Sequence, residues 1–175
     1  MRISGGSLRG RQVAVPDGPI RPAMDRMRES VFAALRDLTQ RSFLDMFSGS
    51  GIIALEAASR GADPVELVEQ DPRKRKTLLA NIAMAPARIK CRFMAAELYV
   101  RRARCGFDII FCDPPFPYRF KWDLVSRIAR SPLMREGSLL LLHRPKEDTP
   151  PPLPLVKGDS KTYGRSVVDF FMYPA

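Results

Sequence analysis

Short apolar runs alternate along this chain with stretches in which apolar residues recur every third or fourth position. The runs read as buried strands and the periodic stretches as helices with one face on a core. The first periodic stretch carries Met27, Val31, Phe32 and Leu35, with Asp25 as an acid at the helix start. Phe43-Leu44 reads as the end of a short strand, and Asp45 stands at its carboxyl end. The turn Phe47-Ser48-Gly49-Ser50-Gly51 follows, then a helix from Ile52 to Ser59 that stops at Arg60-Gly61. Val65 to Glu69 predicts a second strand. Asp71-Pro72 supplies an N-cap and a proline for the first helical position, and the helix runs through Leu78, Leu79 and Ile82. The alternation continues with a strand from Ile89 to Met94, a short helix from Glu97 to Ala103, a strand from Phe107 to Cys112, a helix from Leu124 to Ile128, and a strand from Leu139 to Leu142. Leu153 to Val156 and Val167 to Phe171 predict a closing antiparallel hairpin. The whole pattern predicts an α/β fold, a doubly wound and mainly parallel sheet with helices on both faces. Before it, residues 1–20 predict an appended hairpin, with Met1 to Ser4 and Gln12 to Val15 as strands and Pro16-Asp17-Gly18-Pro19 closing it off. Residues 21–175 then form the main domain.

Composition narrows the partners. At 175 residues and 45% apolar, the chain suits one domain with a real core. It has no apolar run long enough for a transmembrane helix and no signal-peptide core near its polar, arginine-rich start, so a cytoplasmic protein off the membrane is expected. Cys91, Cys105 and Cys112 are odd in number and lack metal-ligand spacing, which predicts free thiols and no metal. The net charge of +10 points to a polyanion such as nucleic acid. Arg9 and Arg11 lie on the appended segment, and Arg21, Arg26 and Arg28 crowd a helix start, where the macrodipole disfavours cations. These five are the expected phosphate contacts. The run Arg73-Lys74-Arg75-Lys76 reads as a solvated helix face.

Two acids bracket the glycine turn. Asp45 ends the first strand and Glu69 the second, and in doubly wound folds ligands bind beyond the carboxyl ends of the strands. Glu69 in that place suits a ribose diol, which fits a nicotinamide cofactor as well as any other adenosine cofactor. A second constellation, Asp113-Pro114-Pro115-Phe116, ends the fourth strand. Two successive prolines cannot continue a strand and bring no N–H donors. A carboxylate and backbone carbonyls beside an aromatic ring suit an exocyclic amine on a flat base. The amine would donate to Asp113 and the Pro114 carbonyl while the base stacks on Phe116.

The glycine turn and DPPF together resemble the S-adenosylmethionine-dependent amino methyltransferases, whose pattern is Asp or Asn, Pro, Pro, aromatic. The resemblance widens over RISGGSLRGRQVAVPDGPIRPAMDRMRESVF, LDMFSGSGIIALEAASRGA, LVEQD with Asn81 beyond it, FDIIFCDPPF and the late Tyr163-Gly164. Over nearly the whole chain it is similar to the RsmD family, bacterial enzymes that methylate N2 of one guanine in 16S ribosomal RNA. The resemblance implies a Rossmann-like methyltransferase domain, S-adenosylmethionine as cofactor, and a monomer acting on 16S rRNA within a small-subunit particle. It implies a cofactor edge of Asp45, Phe47, Ser48, Gly49, Ser50, Gly51, Glu69, Gln70, Ala95 and Ala96, and a catalytic set of Asp113, Pro114 and Phe116. The chain departs from the pattern at Ala23 for a usual Thr, Ala54 for a usual Gly and Phe116 for a common Tyr. Ala95-Ala96 stands where many methyltransferases place an acid for the adenine amine, which leaves that contact to backbone groups or Glu97. An adenine-N6 methyltransferase and a non-catalytic RNA-binding module are the alternatives.

Overall fold

In the computed structural model, described for residues 1–15 and 22–174, five helices flank a seven-stranded sheet. The strands are β1 (Phe43–Met46), β2 (Val65–Glu69), β3 (Ile89–Phe93), β4 (Ile109–Cys112), β5 (Leu139–Pro145), β6 (Val156–Tyr163) and β7 (Ser166–Met172). Their order across the sheet is β3-β2-β1-β4-β5-β7-β6. The first five are parallel, and β7 runs antiparallel between β5 and β6. Chain order reverses between β1 and β4, so a crevice opens beyond their carboxyl ends.

Period-two alternation divides the core in two. Phe43, Leu67, Phe111 and Leu141 pack on one face with α1 (Pro22–Leu35), α2 (Ile52–Ser59) and α3 (Arg75–Ile82). Leu44, Val68, Ile110 and Leu142 pack on the other with α4 (Ala96–Arg102) and α5 (Lys121–Ala129). The helix α2 is buried along its whole length, which is why its sequence, IIALEAAS, shows almost no polar face. Asp71 caps a 3₁₀ turn, Pro72–Lys74, by accepting from the Arg73 N–H before α3 begins.

Two expectations shift. The appended segment forms a single antiparallel bridge, Arg2 to Gln12, in place of two strands. It lies against α2 with Ile3 and Val13 buried in the core. The expected closure at Pro16 to Pro19 falls outside the described residues. The closing hairpin is present, but its first strand is β6, beginning at Val156, and not the predicted Leu153 to Val156. Strand β6 is a polar, almost wholly exposed edge strand, so hydrophobic patterning points instead to the apolar residues just before it.

Candidate active site

The turn after β1 is braced from several sides. Asp45 is buried, and its Oδ2 accepts from the Ser48 hydroxyl at 2.7 Å and from the Ala54 N–H at 3.2 Å. Burial pushes its carboxyl up to about 7, against the pull of those two hydrogen bonds, and the charges of Asp113 and Glu69 push the same way. Asp45 therefore supports the turn from beneath and is not among the residues that line the cavity. Asn81 braces the other side. Its amide donates to the Ser50 carbonyl at 2.9 Å and pairs in both directions with the Ala14 backbone. Sequence reasoning gave Asn81 no structural role, and its buried position on α3 supplies one.

The two glycines play different parts. At Gly49, φ is +60° and an added Cβ would meet nothing within 4 Å, so this residue leaves open space. At Gly51, φ is +81° and an added Cβ would come within 3.2 Å of Ile82 Cγ2 and 3.8 Å of Leu78 Cγ. Gly51 is required by its left-handed backbone and by packing on α3. Phe47 also has a left-handed backbone, φ +63°, which is strained for an aromatic residue. Its ring meets Tyr118 edge-on at 5.5 Å, and the Tyr118 hydroxyl donates to Glu97.

Beyond the turn lies a cavity of about 420 Å³, lined by Phe47, Glu69, Gln70, Asp113, Pro114 and Phe116 among others. Glu69 is held at its mouth, with Oε2 accepting from the Gly49 N–H at 2.8 Å and Oε1 from the Asp71 N–H at 2.8 Å. The structure thus brings Phe47 of the glycine turn, the β2 acid and the DPPF turn to one cavity, while Ser48, Gly49, Ser50 and Gly51 are not among its lining residues. Among the remaining expected contacts, Ser48 and Ser50 are buried within the turn, and Ala96 is buried at the start of α4 with Ala95 as its N-cap. Neither Ala95 nor Ala96 lines the cavity. Cys112 is buried in the sheet and its thiol is pushed up by burial, in keeping with a strand residue and not a nucleophile.

Lining residues that escaped the sequence reading include Met24, His143 and Lys74, the last expected on a solvated helix face but 3.4 Å from Glu69 Oε2. His143, the only histidine of the chain, sits on β5 with Nδ1 2.8 Å from Asp113 Oδ1 and its ring edge-on to Phe116 at 5.3 Å. It follows LLLL without a break, so the signal was a histidine just past the apolar run of a strand adjoining β4.

The arginines separate. Arg9, Arg11 and Arg26 are exposed. Arg2, Arg9 and Arg36 border a second concavity, of about 660 Å³, between the N-terminal segment and α1. Arg28 is 3% exposed, donates to Glu56 at 2.9 Å and to Asp25 at 2.6 Å, and also bonds the Arg2 carbonyl. It is a structural ion pair, which corrects the expected phosphate contact. Arg21 lies outside the described residues.

Comparison with known proteins assigns the family. The family model described as "Conserved hypothetical protein 95" matches residues 1–172. The Escherichia coli ribosomal RNA small subunit methyltransferase D is 31% identical over 88% of this chain and 79% of its own. The Haemophilus influenzae protein of the same name is 29% identical over 99% of this chain and 93% of its own. Among solved structures, an Escherichia coli protein described as a putative methyltransferase superposes with a TM-score of 0.88 at 28% identity, covering 100% of this chain and 98% of that one. A Thermus thermophilus protein gives 0.83 at 31% identity, covering 97% and 98%. With DPPF, the glycine turn and the N-terminal segment all inside the matched region, the chain belongs to the RsmD family of ribosomal RNA methyltransferases.

Proposed function

We propose that this protein transfers a methyl group from S-adenosylmethionine to the exocyclic N2 amine of a guanine in 16S rRNA. The observation that carries the reading is the Asp113 carboxylate on a Pro-Pro turn, lining one cavity with Phe116, with Glu69 at the end of β2 and with Phe47 at the head of the glycine turn. The residues present suit the cofactor. Gly49 leaves room beside the turn, and Glu69 Oε1, which takes the Asp71 N–H, keeps a lone pair for a ribose hydroxyl, while Oε2 takes both the Gly49 N–H and the Lys74 ammonium. Phe47, Gln70 and the Tyr118–Glu97 pair stand nearby for the rest of the nucleoside.

S-adenosylmethionine, when bound, supplies a methyl group already activated on a sulfonium, so positioning is most of the protein's task. Asp113 and the Pro114 carbonyl accept the two amine hydrogens. They hold them out of the ring plane, free the nitrogen lone pair from conjugation, and stabilise the positive charge that develops on nitrogen. Phe116 stacks on the base. Such a base has to leave its helix to reach the cavity. Arg9, Arg11 and Arg26 then serve as phosphate contacts around it, with Arg2 and Arg36 beside them. The substrate is the small-subunit particle and the enzyme acts as a cytoplasmic monomer. Residues 1–20 serve as the RNA-binding extension of a methyltransferase domain at 21–175.

The test is methyl incorporation from labelled cofactor into naked 16S rRNA, small-subunit particles and DNA, followed by nucleoside mass spectrometry. N2-methylguanosine from the rRNA or the particle is expected. N6-methyladenosine, or incorporation into DNA alone, would overturn the guanine assignment, and no incorporation anywhere would leave an RNA-binding module.

A further inference from the structure

We infer that His143 is a positioning residue for methyl transfer, setting the orientation in which Asp113 presents its carboxylate to the amine. The inference rests on the reading of Asp113 as the amine acceptor. Asp113 lies on the loop leaving β4, and its side chain is 20% exposed, so solvent reaches it and its packing alone does not fix its rotation. His143 lies on the neighbouring strand β5 and is buried. Facing a carboxylate, Nδ1 carries the hydrogen and donates, at 2.8 Å, to Oδ1. That bond commits one oxygen of Asp113 to the imidazole and turns the other toward the base. The ring itself is held edge-on by Phe116, the residue that stacks the same base, so target stacking and amine orientation are set by one cluster.

A second observation separates this role from ordinary packing. His143 Nε2 is buried and has no hydrogen-bond partner among the described residues. Buried polar atoms are nearly always paired, and an unpaired one is a burden on stability. A histidine present for stability would be satisfied on both sides. This one is satisfied only on the side of the reactive carboxylate, which is the pattern of a residue retained for the site.

The experiment compares His143→Phe with His143→Asn under single-turnover conditions on the particle, with cofactor affinity and thermal unfolding measured alongside. Phe keeps the shape and removes the donor. Asn keeps an N–H near the position of Nδ1. The transfer rate should fall about 10- to 100-fold in His143→Phe, the size of loss expected from misplacing a catalytic group. Cofactor affinity should stay within about twofold, Tm should be unchanged or raised, and His143→Asn should recover most of the rate. A wild-type rate in His143→Phe overturns the inference, as does an Asn variant equally impaired, or a loss of Tm that tracks the loss of rate. Because the chain has a single histidine, ¹⁵N-histidine labelling gives a readout independent of activity. The free enzyme should show hydrogen on Nδ1, shifting toward Nε2 in Asp113→Ala, and hydrogen on Nε2 with none on Nδ1 in the wild type would refute the contact. If the wild type methylates no RNA while Nδ1 carries the hydrogen, the proposed activity fails and the contact stands.

Discussion

Replacing Asp45 with Asn should remove a pH dependence of stability built into the glycine turn after β1. Asp45 is 1% exposed, and burial lifts its carboxyl from an ordinary 3.8 to about 7. Its folded-state value lies above its unfolded one. Between pH 4 and 7 the folded chain therefore holds a proton that the unfolded chain has released, and stability falls as pH rises through this window. At about 1.4 kcal/mol per pH unit, the displacement corresponds to about 4 kcal/mol lost by pH 8. Asparagine cannot ionise, yet its Oδ1 can still accept from Ser48 and Ala54 in the place of Oδ2. Any cost of its amide N–H groups is the same at every pH, so the informative quantity is the slope of the difference between the two proteins. Urea unfolding followed by circular dichroism from pH 4 to 8, without cofactor, measures it. Asp45→Asn should gain on the wild type by about 4 kcal/mol across the range. Asp71, held near 2 mainly by its hydrogen bond to Arg73, titrates below the window and does not obscure the result. A difference that stays flat from pH 5 to 8 would mean that Asp45 ionises normally, and that the turn is not braced by a desolvated carboxyl.

Three further outcomes follow from the packing. Glu56 is fully buried between Arg28 and Arg60 and accepts from the Ser4 N–H at 2.7 Å, so Glu56→Ala should destabilise the fold by about 3–5 kcal/mol and release the N-terminal segment to proteases; a loss below about 1 kcal/mol would contradict the buried pair. Replacing Arg9, Arg11 or Arg26 with Ala should lower the salt slope of RNA binding by about 0.7 to 0.9 each, whereas Arg28→Ala should lower stability and leave the slope unchanged. Base stacking is worth about 1–3 kcal/mol, so Phe116→Ala should weaken capture of the target base and Phe116→Tyr should be nearly neutral in the same RNA-binding assay.

The parts of this fold that were legible in the sequence are those where one physical signal dominates. Helix α2 and strand β2 begin and end where their apolar runs do, because glycine turns and a capping Asp bound them. The end of β4 at DPPF was legible because consecutive prolines stop a strand at a fixed place. Strand β6 was misplaced because a solvated edge strand needs no apolar alternation. Arg28 was misread because a buried arginine and a surface one look alike in sequence, and its partner Glu56 lies 28 residues away. The packing of Gly51 on α3 was hidden in the sequence, because Leu78 and Ile82 lie far along the chain from it. His143 could not be joined to Asp113 without knowing that β5 pairs with β4.

The central claim is that the DPPF turn orients an amine for methyl transfer, and single-turnover methylation of the small-subunit particle by Asp113→Ala tests it most directly. Losing one such preorganised acceptor should slow transfer by about 100- to 1,000-fold, while cofactor affinity stays within a few fold and the fold is intact. Transfer at the wild-type rate would make DPPF a structural turn and place the reaction elsewhere.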